Sequence, residues 1–469
     1  MKLKNQKENL ESIIYRHINN KKRINELVLK LMPIIEELDA SKVSRDCIQW
    51  FIKSYINYYF NSEKKGQRLS DVKPLTLNDC ISKSTLTQTH KNNISKVAII
   101  KLNGGLGTSM GCSGAKSLIK ITQSERFIDI IANQKQHFED YFKVKLPFYL
   151  MNSFNTESDM QSLNLDFNMF TQNKVPRINT KTKDMLKINN QVSYVPPGHA
   201  DVYRCLVEFG ILDKLIQDGI ESIFISNSDN LGATLDVSIL NYFIDSKLDF
   251  LMEVTPKIKL DVKGGSIIKT ESGLSLLERA QVHAEDIVEF EDISKFSLFN
   301  TNNLWLNLRA LKVLYETNKF EIPVIFNFKQ TKEESFVQFE SAMGSGISLF
   351  EKARCIQVDR TRFFPVKKTS DLLLLRSNLV SKTKTGSLDW KNNITLPEII
   401  LSSHYSNISD FEEKVKVIPN IDRLEKLEVL GEFIFEENVD ISGTVKLINK
   451  SSKAVTLKNR KIVNQILEF

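Results

Sequence analysis

Residues 97–117 read VAIIKLNGGLGTSMGCSGAKS, and no other stretch limits the chain so narrowly. An apolar run, 97–100, is bounded by Lys96 and Lys101. It opens into a loop with five glycines in eleven residues: Gly104, Gly105, Gly107, Gly111 and Gly114. The loop ends at Lys116-Ser117. A buried strand feeding a glycine-rich loop and a lysine is a phosphate-binding arrangement. Glycines let backbone N–H groups approach phosphate oxygens with no Cβ between them, and the lysine adds a mobile positive charge. The loop is not a P-loop, because Ala115 stands directly before Lys116. Nor is it the dinucleotide fingerprint, which would need a third glycine where Met110 stands. A flexible strand-to-helix turn is the plain alternative, and the glycine density argues against it.

From Lys96 onward, strand-length and helix-length segments alternate. Residues 97–100, 146–151, 222–226 and 250–254 read as strands, and 127–142, 202–215 and 237–244 as helices. This alternation predicts an α/β fold with a mostly parallel sheet covered on both faces. Ligands bind such sheets outside the carboxyl ends of the strands. Ahead of the sheet, residues 8–60 read as helical, with Leu10, Ile13, Ile14, Ile24, Leu27 and Leu31 at helical spacing. Pro33 is expected to kink or interrupt that run. Trp50, Phe51, Tyr55 and Tyr59 form an aromatic stripe that reads as core packing. Residues 61–95 read as an irregular connection. From about Ile418 the chain is rich in β-branched residues in short runs, punctuated by Gly431, Asn438 and Gly443. That spacing suggests a stacked β-solenoid or a small sandwich. The expected divisions are 1–95 for the helices and connection, 96–380 for the α/β domain, 381–417 for a second connection and 418–469 for the β-rich end.

At 469 residues, the chain is long enough for two or three domains. Its net charge of +7 is small for that length and its lysines are scattered, which argues against a nucleic-acid partner. No run of about 18 apolar residues predicts a membrane span. Five cysteines without a CxxC pair suggest reduced thiols in a cytoplasmic setting. Cys112 alone lies in the glycine loop, where a small filler residue is the favoured reading.

The loops after the strands carry the remaining candidates. Asp229, in Asn227-Ser228-Asp229-Asn230, is well placed to hold magnesium, which uses one or two carboxylates plus phosphate oxygens and waters. A polar turn closing a strand is the alternative, and the glycine loop at a corresponding sheet end favours the metal. In Tyr194-Val195-Pro196-Pro197-Gly198-His199-Ala200-Asp201, the prolines and Gly198 fix the backbone around His199. That pattern leaves His199 open between a structural and a binding role. Gly264-Gly265 reads as a hairpin turn or as close approach to a ligand. The asparagines of 300–303 read as a loop or a binding block, and Trp305 as packing.

LNGGLGTSMGCSGAKS resembles the nucleotide loop of the eukaryotic-type UTP–glucose-1-phosphate uridylyltransferases (UDP-glucose pyrophosphorylases), with Ala115 in place of the usual proline. The blocks PPGHAD, with Ala200 for a glycine, NTNNLW (300–305) and RFFPVKKTSDL (362–372) resemble the family in order. The resemblance implies a nucleotidyltransferase (GT-A-like) sheet and a C-terminal left-handed β-helix that mediates oligomer contacts in some members, others being monomeric. It implies that UTP and glucose 1-phosphate give UDP-glucose and pyrophosphate, with Mg²⁺ as cofactor on Asp229. Leu102, Asn103, Gly104, Gly105, Lys116, Gln172, Gly198, Asn227, Asp229 and Lys367 are implied to bind the nucleotide. Gln172 would read uracil, since an amide donates and accepts at once. Gly104, Gly105, His199, Gly265, Asn302 and Glu340 are implied to bind the sugar, and Lys116 and Lys367 to act in catalysis. The sugar phosphate is already anionic at neutral pH, so no general base is needed; transfer needs in-line alignment and positive charge. Two rival readings are a broader-specificity UDP-sugar or UDP-N-acetylhexosamine pyrophosphorylase and a catalytically silent nucleotide-sugar-binding protein.

Overall fold

The structure, a computed structural model, describes residues 21–61, 66–87, 89–122, 124–163, 165–258, 261–383, 387–391 and 396–469. Helices α1 (Lys21–Ala40) and α2 (Arg45–Asn61) lead into it. The expected interruption at Pro33 does not occur, and α1 runs through it. Ile24, Leu27, Leu31, Ile34 and Leu38 form one buried stripe, packed with α2 and with Val175, Ile178, Val337 and Phe339. Burying that stripe outweighs the backbone bond that proline removes. Phe51, Tyr55 and Tyr58 pack on Phe339, so the aromatic stripe is core packing. The helical reading at Leu10, Ile13 and Ile14 lies outside the described residues.

The central sheet has eight strands: β1 (Ile81–Ser82), β2 (Val97–Asn103), β3 (Phe148–Asn152), β4 (Asn168–Thr171), β5 (Ser222–Asn227), β6 (Phe250–Pro256), β7 (Leu298–Asn307) and β8 (Ala353–Gln357). Their order is β1-β8-β6-β7-β5-β2-β3-β4. Neighbours are parallel except β7, which runs antiparallel to β6 and β5. Every residue of β2 is buried, which requires cover on both faces. Ile99, Phe224 and Trp305 pack with α3 (Phe127–Phe142). Ala98, Ile100 and Ile225 point the other way, toward α4 (Asp201–Glu208) and α5 (Ile211–Gln217). Helix α6 (Val237–Asp245) joins the first face through Ile239 and Phe243, and α7 (Leu308–Glu316) the second through Leu308 and Leu311.

Several local expectations change. The 202–215 segment is two helices, because Gly210 turns the chain at φ +67°. Lys101 does not end the apolar run but lies buried within β2. Its ammonium donates to Ser226 Oγ (2.8 Å) and Ala233 O (2.6 Å), replacing lost hydration. Burial lowers its pKa to about 7. The described residues of the 61–95 segment are mostly short turns, yet they supply β1, paired through Ile81 with Ile356 at the sheet edge. The asparagine block lies in a strand, β7, not a loop. Its pairing with β6 shifts register between Met252 and Val254, a β-bulge. There Asn302 takes φ +58°, which asparagine tolerates.

At the C-terminal end, β9 (Glu398–Leu401), β10 (Leu424–Leu430), β11 (Phe433–Phe435), β12 (Val439–Ile448), β13 (Val455–Leu457), β14 (Arg460–Val463) and β15 (Ile466–Glu468) follow. All their pairings are parallel: β9 with β10, β10 with β12, β11 with β13, and β12 with β14 and β15. Leu427, Phe433, Ile441 and Leu447 join the core of the first sheet face. Among the described residues, no helix is long and apolar enough to cross a membrane.

Candidate active site

The glycine loop after β2 is held by the loop after β3. Ser153 Oγ donates to Gly104 O (2.9 Å) and Thr156 Oγ1 to Asn103 O (2.8 Å). Asn103 ties three strand ends together. Its amide donates to Asn152 Oδ1 (2.9 Å), and its Oδ1 accepts from Ser228 Oγ (3.1 Å). Leu102 turns its side chain into the core, and its carbonyl accepts the Ser228 N–H. Asn227, half-buried, ends β5 beside Leu102.

Within this frame, Lys116 meets Asp229. Its Nζ lies 2.5 Å from Asp229 Oδ2, both side chains being largely buried. Lys116 is set by its own N–H, which donates to Gly105 O (3.1 Å). Around Gly105, a Cβ would meet only open space, so its backbone faces an unfilled region. Ala115, the departure from proline, is explained locally: its N–H donates to Asp159 Oδ2 (2.7 Å), a bond proline cannot make. Cys112 is half-buried, and burial raises its thiol pKa, which keeps it protonated.

Gln172 is buried with its backbone N–H on Asn152 O, and its Oε1 has no hydrogen-bond partner. Its Nε2 lies too close to where a Cβ on Gly104 would stand for both to fit, so any larger residue there would displace the amide. A buried acceptor without a partner costs free energy unless a ligand satisfies it.

A cavity of about 350 Å³ collects Gly198, His199, Glu340, Lys263, Glu278 and Asn327. Gly198, at φ +88°, packs against the Ser341 backbone with no room for a Cβ. His199 Nδ1 accepts the Met343 N–H (3.0 Å), which leaves the proton on Nε2. Burial lowers its pKa to about 4, so the ring is neutral. Burial also raises the pKa of Glu340, whose Oε1 accepts from Asn327 Nδ2 (3.4 Å). Gly265 approaches Glu278; a Cβ there would stand 2.7 Å from Oε1. The Ala200 methyl, which replaces the glycine of the resembling block, is buried in the core with Tyr203 and Met343.

Asn302 and Lys367 lie apart from that cavity's lining. Asn302 is half-buried at the bulge and exchanges hydrogen bonds with Asn300. Lys367 is exposed, its Nζ 5.8 Å from the Phe299 ring centroid. Its carbonyl accepts from Ser109 Oγ of the glycine loop (3.1 Å), and its N–H caps the following helix through Asp371 (2.7 Å). Trp305 is fully buried and donates to Glu253 (3.0 Å), so it packs rather than stacks on a ligand. Glu253 is absent from the sequence reading, and Asn230 and Arg362 stand there only inside quoted blocks, with no role given. The three form a buried polar network, signalled by a charge at Glu253 inside an apolar strand.

Among the described residues, no three His, Cys, Asp or Glu side chains group as a metal cage. One carboxylate, Asp229, suits a magnesium ion that completes its shell with phosphate oxygens and waters. It does not suit a zinc-type site.

The sequence profile described as UTP--glucose-1-phosphate uridylyltransferase matches residues 48–442. The Encephalitozoon cuniculi protein of that name is 40% identical over 372 residues, covering 77% of this chain and 75% of its own length. The Musa acuminata one is 36% identical over 461 residues, covering 93% and 98%. The UDP-glucose pyrophosphorylase from Leishmania major, solved in open and closed structures, superposes with TM-score 0.86 at 31% identity, over 94% of this chain and 99% of that one. Agreement in sequence and in fold over nearly the whole length leaves one assignment: this chain belongs to the UTP–glucose-1-phosphate uridylyltransferase family.

Proposed function

We infer that the residues around Lys116 and Asp229 carry out the reaction of the family: the chain converts UTP and glucose 1-phosphate to UDP-glucose and pyrophosphate. The observation that carries the site assignment is the Lys116–Asp229 ion pair, formed by two loops at the carboxyl ends of neighbouring strands β2 and β5.

In this reading, a sugar-phosphate oxygen attacks the UTP α-phosphorus in line. The bond to that phosphorus forms as the α–β bridging bond breaks, and pyrophosphate leaves with the electron pair. Asp229 would hold a magnesium ion, which would supply Lewis acidity to the phosphate oxygens. Lys116 and Lys367 contribute positive charge, and the Gly104-Gly105 amides hold phosphate. Gln172 pairs with the uracil edge, which its unpartnered Oε1 supports. The cavity with Gly198, His199 and Glu340 takes the hexose, with Gly265 behind it and Asn302 at the bulge; carboxylates accept sugar hydroxyls well. Leu102, Asn103 and Asn227 complete the nucleotide side through the strand ends they form.

The chain divides at 1–95, 96–380, 381–417 and 418–469, with the parallel C-terminal pairings read as a left-handed β-helix. Exposed Val463, Ile466 and Phe469 support that end as the surface through which a homo-oligomer would form. Free cysteines throughout accord with a reducing cytoplasm. A pyrophosphate-release assay with UTP, Mg²⁺ and a panel of sugar 1-phosphates tests the reading. Turnover with glucose 1-phosphate foremost is expected; no release with any sugar would leave a silent binding protein.

A further inference from the structure

Beneath the Asp229 loop lies a buried ion pair that the proposed chemistry does not use. Glu253, fully buried on β6, accepts from Arg362 Nε (2.8 Å) and Nη2 (2.7 Å), Asn303 Nδ2 (3.0 Å) and Trp305 Nε1 (3.0 Å). A buried carboxylate so fully paired is a fixed point, since breaking either partner leaves an uncompensated charge. Asn230 is built onto that point. Its Nδ2 donates to Arg362 O (3.0 Å), and its Oδ1 accepts the Phe364 N–H (3.0 Å). Its backbone forms a β-bridge with Pro365. Gly232 packs against the Thr361 carbonyl with no room for a Cβ. Asn230 is therefore next to Asp229 in sequence and joined to the segment that ends in Lys367.

We propose that Asn230 is a positioning residue: anchored on the Glu253–Arg362 pair, it sets the loop bearing Asp229 against the segment bearing Lys367. The inference rests on the catalytic reading of Asp229 and Lys367 given above. The neighbouring supports fit the same role. Lys101 ties the two ends of the Asp229 loop, at Ser226 and Ala233, and Ser109 Oγ ties the glycine loop to Lys367 O. Gln172, read as the uracil contact, bonds to none of these groups, so losing Asn230 is expected to affect turnover more than nucleotide affinity.

The test is a double-mutant cycle on the purified full chain, with steady-state kinetics and melting temperature for each variant. Asn230→Ala is expected to lower kcat about 10-fold or more while the KM for UTP stays within about 2-fold. In a Lys367→Ala background the same change should cost less than about 3-fold, because the group it positions is gone. Asn449→Ala serves as a control of stability alone. It removes part-buried bonds to Glu432 O and Lys453 O at the C-terminal end, and should keep kcat. A folded Asn230→Ala enzyme with unchanged kcat overturns the proposal, as does a full, additive loss in the Lys367→Ala background. Should Asn230→Ala fail to fold, Asn230→Asp enters the same cycle, since it keeps the acceptor for Phe364 and loses the donor to Arg362. A wild-type chain inactive in pyrophosphate release would instead sink the proposed reaction.

Discussion

Lys116 Nζ and Asp229 Oδ2 lie 2.5 Å apart, although 113 residues separate them in the chain. Parallel pairing of β2 with β5 creates this contact, because it brings the two following loops to one sheet edge. Asp229→Asn is expected to abolish magnesium-dependent turnover and leave the fold intact. A magnesium titration of activity, with circular dichroism as control, checks it; surviving magnesium dependence would move the metal ligand elsewhere.

Lys367 is exposed, so its removal should cost little stability. Lys367→Ala is expected to lower kcat roughly 10²-fold or more, the scale for losing one electrostatic stabiliser. Steady-state kinetics at saturating UTP and glucose 1-phosphate measure this, and unchanged kinetics would remove Lys367 from the mechanism.

The unpartnered Gln172 Oε1 predicts a binding effect. Gln172→Ala should raise the KM for UTP about tenfold with a smaller change in kcat, since uniform binding is lost. Gly104→Ala should do the same, because its methyl displaces the Gln172 amide. If either variant bound UTP as the wild type does, the uracil assignment would fail.

His199 makes stability depend on pH. Burial lowers its pKa from 6.5 to about 4. Between those values the unfolded chain holds a proton that the folded chain does not. The contribution is thus complete above pH 6.5 and is lost as pH falls toward 4, amounting to about 3 kcal/mol at most. Protonation would also set a second N–H against the Met343 N–H. Denaturant unfolding at about pH 7 and about pH 4.5 should show His199→Gln losing less stability on acidification than the wild type.

Ala115→Pro restores the residue usual in the family and tests why it is absent here. Ala115 has φ −57°, which suits proline, and proline lowers the entropy of the unfolded chain by about 0.4–1 kcal/mol. The lost N–H bond to the Asp159 carboxylate costs about 1.5–3 kcal/mol, so the substitution should destabilise. In an Asp159→Ala background it should become neutral or stabilising. A destabilisation equal in both backgrounds would mean that Asp159 is not the reason.

The sequence was most readable where physics is local. Glycine density announced the loop after β2, apolar periodicity announced the sheet and its helices, and the prolines with Gly198 fixed the turn at His199. It misled where a long-range contact overrode a local preference. Pro33 stays helical because its neighbours are buried on Phe339 and Val337, and Lys101 sits inside a strand because Ser226 and Ala233 hydrogen-bond its ammonium. The asparagine block is a bulged strand because β6 pairs with β7 on both sides of it, at 298–300 and at 304–306, while β5 pairs with β7 just beyond it, at 304–307.

By itself, then, the order of residues determined which chemical groups this chain carries: a glycine-rich loop after a strand, a lysine, an acidic residue after another strand. Tertiary structure alone decided which of those groups meet. Glu253 finds Arg362 109 residues away, and Asn230 finds Phe364 across 134. Such pairings follow from strand order and register, which no local pattern encodes, because a charge is stable in the interior only when distant backbone delivers its partner.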